Sequence, residues 1–183
     1  MINKVHIPID TVVHHDMMYT QAPNNLWHLP RETWDKIWNN VTGKTINVAI
    51  LDTGYASHPD LPVPSKERSF VGQPIQDGNG HGTHCAGTAT GRNGLGVAPE
   101  ANLFVGKVLS NAGSGSSAGI AAGIRWAIDE GADVISLSLG GGGPDEATRR
   151  AGEHALSKGV VLVAAAGNAG YNGGNTIGYP AKF

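Results

Sequence analysis

Ile46-Asn47-Val48-Ala49-Ile50-Leu51-Asp52-Thr53-Gly54 decides the fold. From Ile46 to Leu51 the run is almost unbroken in apolar residues. A strand covered on both faces reads this way, and such strands belong to parallel sheets. Asp52 follows at once, so a carboxylate stands where the strand ends. Taken alone, an Asp before Thr-Gly is equally a turn-forming residue.

Outward from this stretch the same pattern recurs at Asn102 to Val108, Asp133 to Ser138 and Val160 to Ala165. Helical patterns lie between. Ile120, Ile124 and Ile128 recur at i, i+4, i+8, with Ser116 or Ser117 to cap the helix and Gly131 to stop it. Pro144, Asp145 and Glu146 open another helix with the acidic first turn its dipole favours, and Lys158-Gly159 end it. Upstream, Pro30-Arg31 open a helix whose Trp34, Ile37, Trp38 and Val41 share one face, ended by Gly43. Ser57 to Gly80, with Pro59, Pro62, Pro64 and Pro74, reads as loop. Strand and helix in alternation predict an α/β fold of three layers: a mostly parallel β-sheet with helices on both faces. Residues 1–25 read as an N-terminal arm or extension, and 26–183 as one domain.

Composition bounds the function. The chain has 183 residues, 40% hydrophobic and 15% charged, enough for one buried core. A net charge of −2 gives no electrostatic case for nucleic acid or for an acidic membrane surface. A single Cys excludes an internal disulfide framework. No apolar run reaches membrane-spanning length. The first residues lack the basic-then-apolar pattern of a secretory signal, so the expected location is cytoplasmic, or extracellular after processing.

Gly80-His81-Gly82-Thr83-His84-Cys85-Ala86-Gly87-Thr88 brings two His and a Cys between glycines. At helical spacing His81 and Cys85 share a face. Three readings compete: a tightly packed buried helix, a metal site of His81, His84 and Cys85, and a catalytic His awaiting partners. In open parallel sheets, ligands bind beyond the carboxyl ends of the strands. That edge would gather Asp52, the end of the Asp133–Ser138 strand, and Asn168, with the His helix entering beside them. An orienting acid, a general base and an amide donor could then converge, which spacing carries as far as general hydrolase chemistry.

With these residues in view, the sequence resembles the subtilisin family of serine peptidases. Ala49-Ile50-Leu51-Asp52-Thr53-Gly54 is similar to its Asp motif, followed by Ser57-His58-Pro59-Asp60-Leu61. Gly80 to Thr88 resembles the His motif, and Val163-Ala164-Ala165-Ala166-Gly167-Asn168 the oxyanion motif. Ser136 to Gly141 and Gly178-Tyr179-Pro180 also match. The resemblance implies that Asp52 orients His81, that His81 takes the proton of a serine hydroxyl, and that Asn168 donates to the oxyanion. It implies that Gly113, Ser114 and Gly115 and Ser138, Leu139 and Gly140 flank an extended polypeptide substrate. Ala165, Ala166 and Gly178 would line a pocket for a large apolar residue, and Leu139 with Ile120 a second apolar pocket. Cys85 resembles the buried Cys of the proteinase K branch, a packing residue.

Two departures follow. The family's Ser, in a Gly-Thr-Ser motif after the oxyanion Asn, has no counterpart here; no Ser follows Ser157. The expectation is the N-terminal part of a longer peptidase, inactive until a C-terminal segment complements it, with part of its core open. The alternative is an inactive peptide-binding or regulatory relative. The resemblance requires no cofactor. The family's Ca2+ site through Asp60 is a doubtful candidate here, because the loop Arg92 to Gly96 offers few side-chain oxygens, and a weaker site near the Ala181 and Phe183 carbonyls would need further residues.

Overall fold

The computed structural model describes residues 4–6, 36, 39, 41–172 and 175–183. The expected helix from Pro30 and most of the arm lie outside them. Among the described residues, β1 (Lys4–His6) belongs to the arm. The stretch read first becomes β2 (Asn47–Asp52), which includes Asp52 itself and is buried after its first residue.

β2 is the central strand of a five-stranded sheet. On one side stand β4 (Asn102–Lys107) and the edge strand β3 (Lys66–Ser69). On the other stand β6 (Val134–Leu137) and β7 (Val161–Ala164). Every pairing in this sheet is parallel. After β2 the chain passes to the edge at β3, returns to fill the gap with β4, and then adds β6 and β7 on the other side, so a topological switch point lies at the end of β2.

Helices cover both faces, as the alternation predicts. α1 (His81–Thr90) packs on one, over Val48, Ile50, Leu103 and Val105. α2 (Ser117–Asp129) and α3 (Glu146–Ser157) pack on the other, over Ala49, Leu51, Phe104, Ile135 and Leu137. Alternate residues of β2 thus serve opposite layers, which is why its sequence is apolar without alternation. Ser116 caps α2 by accepting from Gly119 N–H, and Asp145 caps α3 through Thr148 N–H. Gly131, with φ +87°, ends α2 as expected.

Two corrections concern the edges. β3 was expected to be loop; its Lys-Glu-Arg-Ser composition has no apolar face, because an edge strand can leave charged side chains in water. β7 is not covered on both faces: Val161 and Val163 are more than half exposed. No helix among the described residues is long and apolar enough to cross a membrane.

Away from the main sheet, β5 (Ser114–Ser116) pairs antiparallel with β1. Val5 stands opposite Gly115, and His6 opposite Ser114.

Candidate active site

β2 ends on a buried carboxylate: Asp52 is 1% exposed. Gly54 follows with φ +116°, and a side chain there would strike Ile75 O. The chain after β2 is thereby held against the incoming loop, with Tyr55 N–H donating to Ile75 O and Asp77 N–H to Tyr55 O. That loop delivers the first turn of α1. Gly82, Ala86 and Thr90 form the buried stripe of α1, and small residues there let the helix approach the strand closely.

The approach brings His81 Nδ1 to 2.8 Å from Asp52 Oδ1, an oxygen that also accepts Thr53 N–H at 2.7 Å. A carboxylate only accepts, so Nδ1 carries the proton, and in the neutral ring Nε2 keeps its lone pair. The hydrogen bond to Asp52, then the contact with Cys85, raises the His81 pKa against the opposing effect of burial, up to about 10. Cys85 Sγ lies 3.8 Å from Nδ1 and is a free thiol.

Of the three readings of the His segment, the metal set of His81, His84 and Cys85 does not form. His84 is exposed, and Asp52 takes its place in the group whose ligand atoms lie within 4.8 Å of one another. The reason is helical phase: His84 is turned off the face that His81 and Cys85 share. Asp60 belongs to no such group among the described residues; its carboxylate accepts from Asn93 Nδ2 and stands near His58.

Asn168 lies past the end of β7, two strands from β2 and at the same edge. Gly167, with φ +97°, turns the chain there, and Asn168 is exposed. The expected pocket segments also meet. Gly178 N–H donates to Ala166 O at 2.9 Å, and Gly141, next to Ser138–Gly140, exchanges backbone hydrogen bonds with Tyr179. Leu139 is a correction. Its side chain is 0% exposed and Ile120 is 1% exposed, both inside the core cluster, so the second pocket expected of them is closed.

Gly113 turns the chain into β5 with φ +73°. A side chain on Gly115 would strike Val108 O, so β5 lies flat against the end of β4. Its outer edge takes an extended partner, and in this structure that partner is β1.

The sequence did not single out Asp77 or Lys107. Both are buried behind Asp52 and His81. The signal for Asp77 was its place in Asp77-Gly78-Asn79-Gly80, just ahead of the helix, where a carboxylate can serve the first turn. Lys107 stood in an apolar strand and gave no signal.

Residues 43–183 match the profile of the Subtilase family, Peptidase_S8. An alkaline protease of Alkalihalobacillus alcalophilus is 43% identical over 170 residues, which cover 90% of this chain and 44% of that protein. Subtilisin Savinase of Lederbergia lenta is 46% identical over 78% of this chain and 54% of its own length. Subtilisin DY of Bacillus licheniformis is 47% identical over 77% of this chain and 54% of its own. The chain spans about half the length of the curated relatives it matches.

Proposed function

We propose, from the premise that this chain belongs to the Subtilase family of peptidases, that it carries the acid–base half of a site that cleaves peptide bonds. The observation that carries this reading is the 2.8 Å contact between His81 Nδ1 and Asp52 Oδ1 at the switch point of the sheet. Asp52 fixes the tautomer. His81 Nε2 then takes the proton of a serine hydroxyl and returns it to the leaving amine. Asn168 donates its side-chain amide to the oxyanion of the tetrahedral intermediate. The serine is contributed by a segment outside residues 1–183, which also covers the exposed face of β7.

The substrate is an extended polypeptide. The edge of β5 supports this, because it already holds an antiparallel strand, Lys4–His6. Gly113, Ser114 and Gly115 take one side of the peptide, and Ser138 and Gly140, flanking the buried Leu139, the other. Ala165, Ala166 and Gly178 form the pocket for an apolar side chain. Cys85 backs the imidazole, and no metal enters the mechanism.

The occupied edge also supports a second reading, a peptide-binding protein without turnover. One experiment separates them. The protein is expressed with any coding sequence that follows Phe183, then treated with a fluorophosphonate probe and a casein substrate. Labelling and cleavage that His81→Ala abolishes are expected. A folded, serine-bearing protein that binds extended peptides yet neither labels nor cleaves would overturn the first reading in favour of the second.

A further inference from the structure

Asp77 is a buried carboxylate that takes no part in the proton transfers above. Its Oδ1 accepts Thr53 Oγ1–H at 2.9 Å, Gly80 N–H at 2.9 Å and Asn79 N–H at 3.0 Å. Its Oδ2 accepts Thr83 N–H at 2.9 Å and Thr83 Oγ1–H at 2.7 Å. We propose that Asp77 is a positioning residue, which sets the reach between Asp52 and His81 by joining the strand end to the helix start through Thr53 and Thr83. This rests on the reading of Asp52 and His81 as the acid–base pair.

The polarity of the network makes the argument. A hydroxyl has one proton to give. Thr53 gives its proton to Asp77 and accepts Gly82 N–H, on α1, at 2.9 Å. Thr83, on α1, gives its proton to Asp77 and accepts Ala56 N–H, beyond β2, at 2.9 Å. Each threonine thus bridges to the opposite element, and both bridges need an acceptor at Asp77. Thr53 directly follows Asp52, and Gly82 directly follows His81, so the crossing ties down the neighbours of both. Gly80, at the cap position of α1, offers no side chain. The Asp77 carboxylate takes over the cap's work and places negative charge at the helix N-terminus.

Lys107 completes the network. It is fully buried, and its ammonium group donates to Thr53 O and to Asn111 Oδ1. Asn111 Oδ1 also accepts Gly78 N–H, which fixes the turn that carries Asp77. Burial lowers the Lys107 pKa, while the charges of Asp77 and Asp52 oppose this. Lys107 thus ties the strand end at Thr53 to the turn that carries Asp77.

The test reads the imidazole, not catalysis. The protein, expressed with any sequence that follows Phe183, is labelled with 15N-histidine. The low-field Nδ1 proton of His81 and the pKa of the ring are then measured. Asp77→Asn places an NH2 among N–H donors, and Thr53→Val removes one bridge at constant shape. Both are expected to broaden the Nδ1 proton beyond detection and to lower the ring's pKa by about one unit or more. Thr53→Ser is expected to restore both signals. If Asp77→Asn and Thr53→Val melt earlier but keep the proton and hold the pKa within about 0.2 unit, the role is only structural and the proposal is overturned. Should Asp77→Asn fail to fold, the Thr53 pair decides alone. Peptide hydrolysis is not the readout, so a protein that cleaves nothing can still pass and an active one can still fail.

Discussion

His81 Nδ1 stands 2.8 Å from Asp52 Oδ1, and the two residues come from the start of a helix and the end of a strand, with β3 and its connections between them in the chain. The contact determines which ring nitrogen is protonated, and so which one faces a nucleophile. Asp52→Asn keeps the shape but offers an amide that can favour the wrong tautomer. In the serine-bearing protein, kcat is expected to fall about 10^4-fold, the loss known for this change in another serine peptidase and not obtained from these distances. Steady-state hydrolysis of a chromogenic peptide, with circular dichroism to confirm folding, checks it.

The same contact predicts how stability and rate respond to pH. The His81 pKa is raised from 6.5 to about 10 in the folded chain, so folding favours the imidazolium. The stabilisation is complete below about pH 6.5 and is lost as pH rises through about 10. Urea unfolding at pH 6, 8 and 10 should show this decline, and His81→Gln should flatten it. A general base must be neutral, so hydrolysis is expected to rise from neutral into alkaline pH. A rate that peaks near pH 6 would contradict the assignment.

Asp77 titrates in the opposite sense. Burial pushes its pKa up, but hydrogen bonds from Gly80, Thr83 and Asn79 more than reverse this and hold it at about 2, below its ordinary 3.8. Its stabilising contribution is therefore present above about pH 3.8 and is lost as pH falls through about 2. Acid unfolding followed by tryptophan fluorescence should weaken in its steepness at this end in Asp77→Asn.

Gly82 marks how closely α1 lies on the strand end. A Cβ there would sit 2.5 Å from Gly54 O and 3.1 Å from Thr53 N, both backbone atoms with little freedom to yield. Gly82→Ala is expected to cost about 1–3 kcal/mol by denaturant unfolding, as overpacking does. It should also lengthen the Asp52–His81 contact, so activity should fall further than stability explains.

Asn168 is tested by truncation. Asn168→Ala in the serine-bearing protein should lower kcat about 10^2–10^3-fold with little change in KM, the range known for removing one oxyanion donor from a subtilisin. A change confined to KM would place Asn168 in substrate binding instead.

Deleting residues 1–6 removes β1 from the edge of β5. If that edge takes peptides, the deletion should tighten binding of an extended apolar peptide in calorimetry, because nothing then competes for the same hydrogen bonds. Unchanged affinity would place the peptide elsewhere.

The sequence by itself determined the layers and the candidate residues. Ile46 to Leu51 announced a doubly covered strand because burial on both faces leaves almost no polar position; Asn47 is the one exception. Asp145 and Ser116 announced helix starts because a free N–H needs a side-chain acceptor. The Asp, His and Asn motifs were legible because each is local. Other features were decided only by tertiary structure. Lys66–Ser69 becomes a strand because β4 offers it an unpaired edge, and no apolar pattern reports that. Leu139 is sealed in the core and His84 faces water because strand and helix phase, not motif, set where a side chain goes. The Asp77–Lys107 network was invisible because its members are distant in sequence. Their meaning lies in hydrogen-bond polarity, which exists only once the loop, the strand end and the helix are brought together.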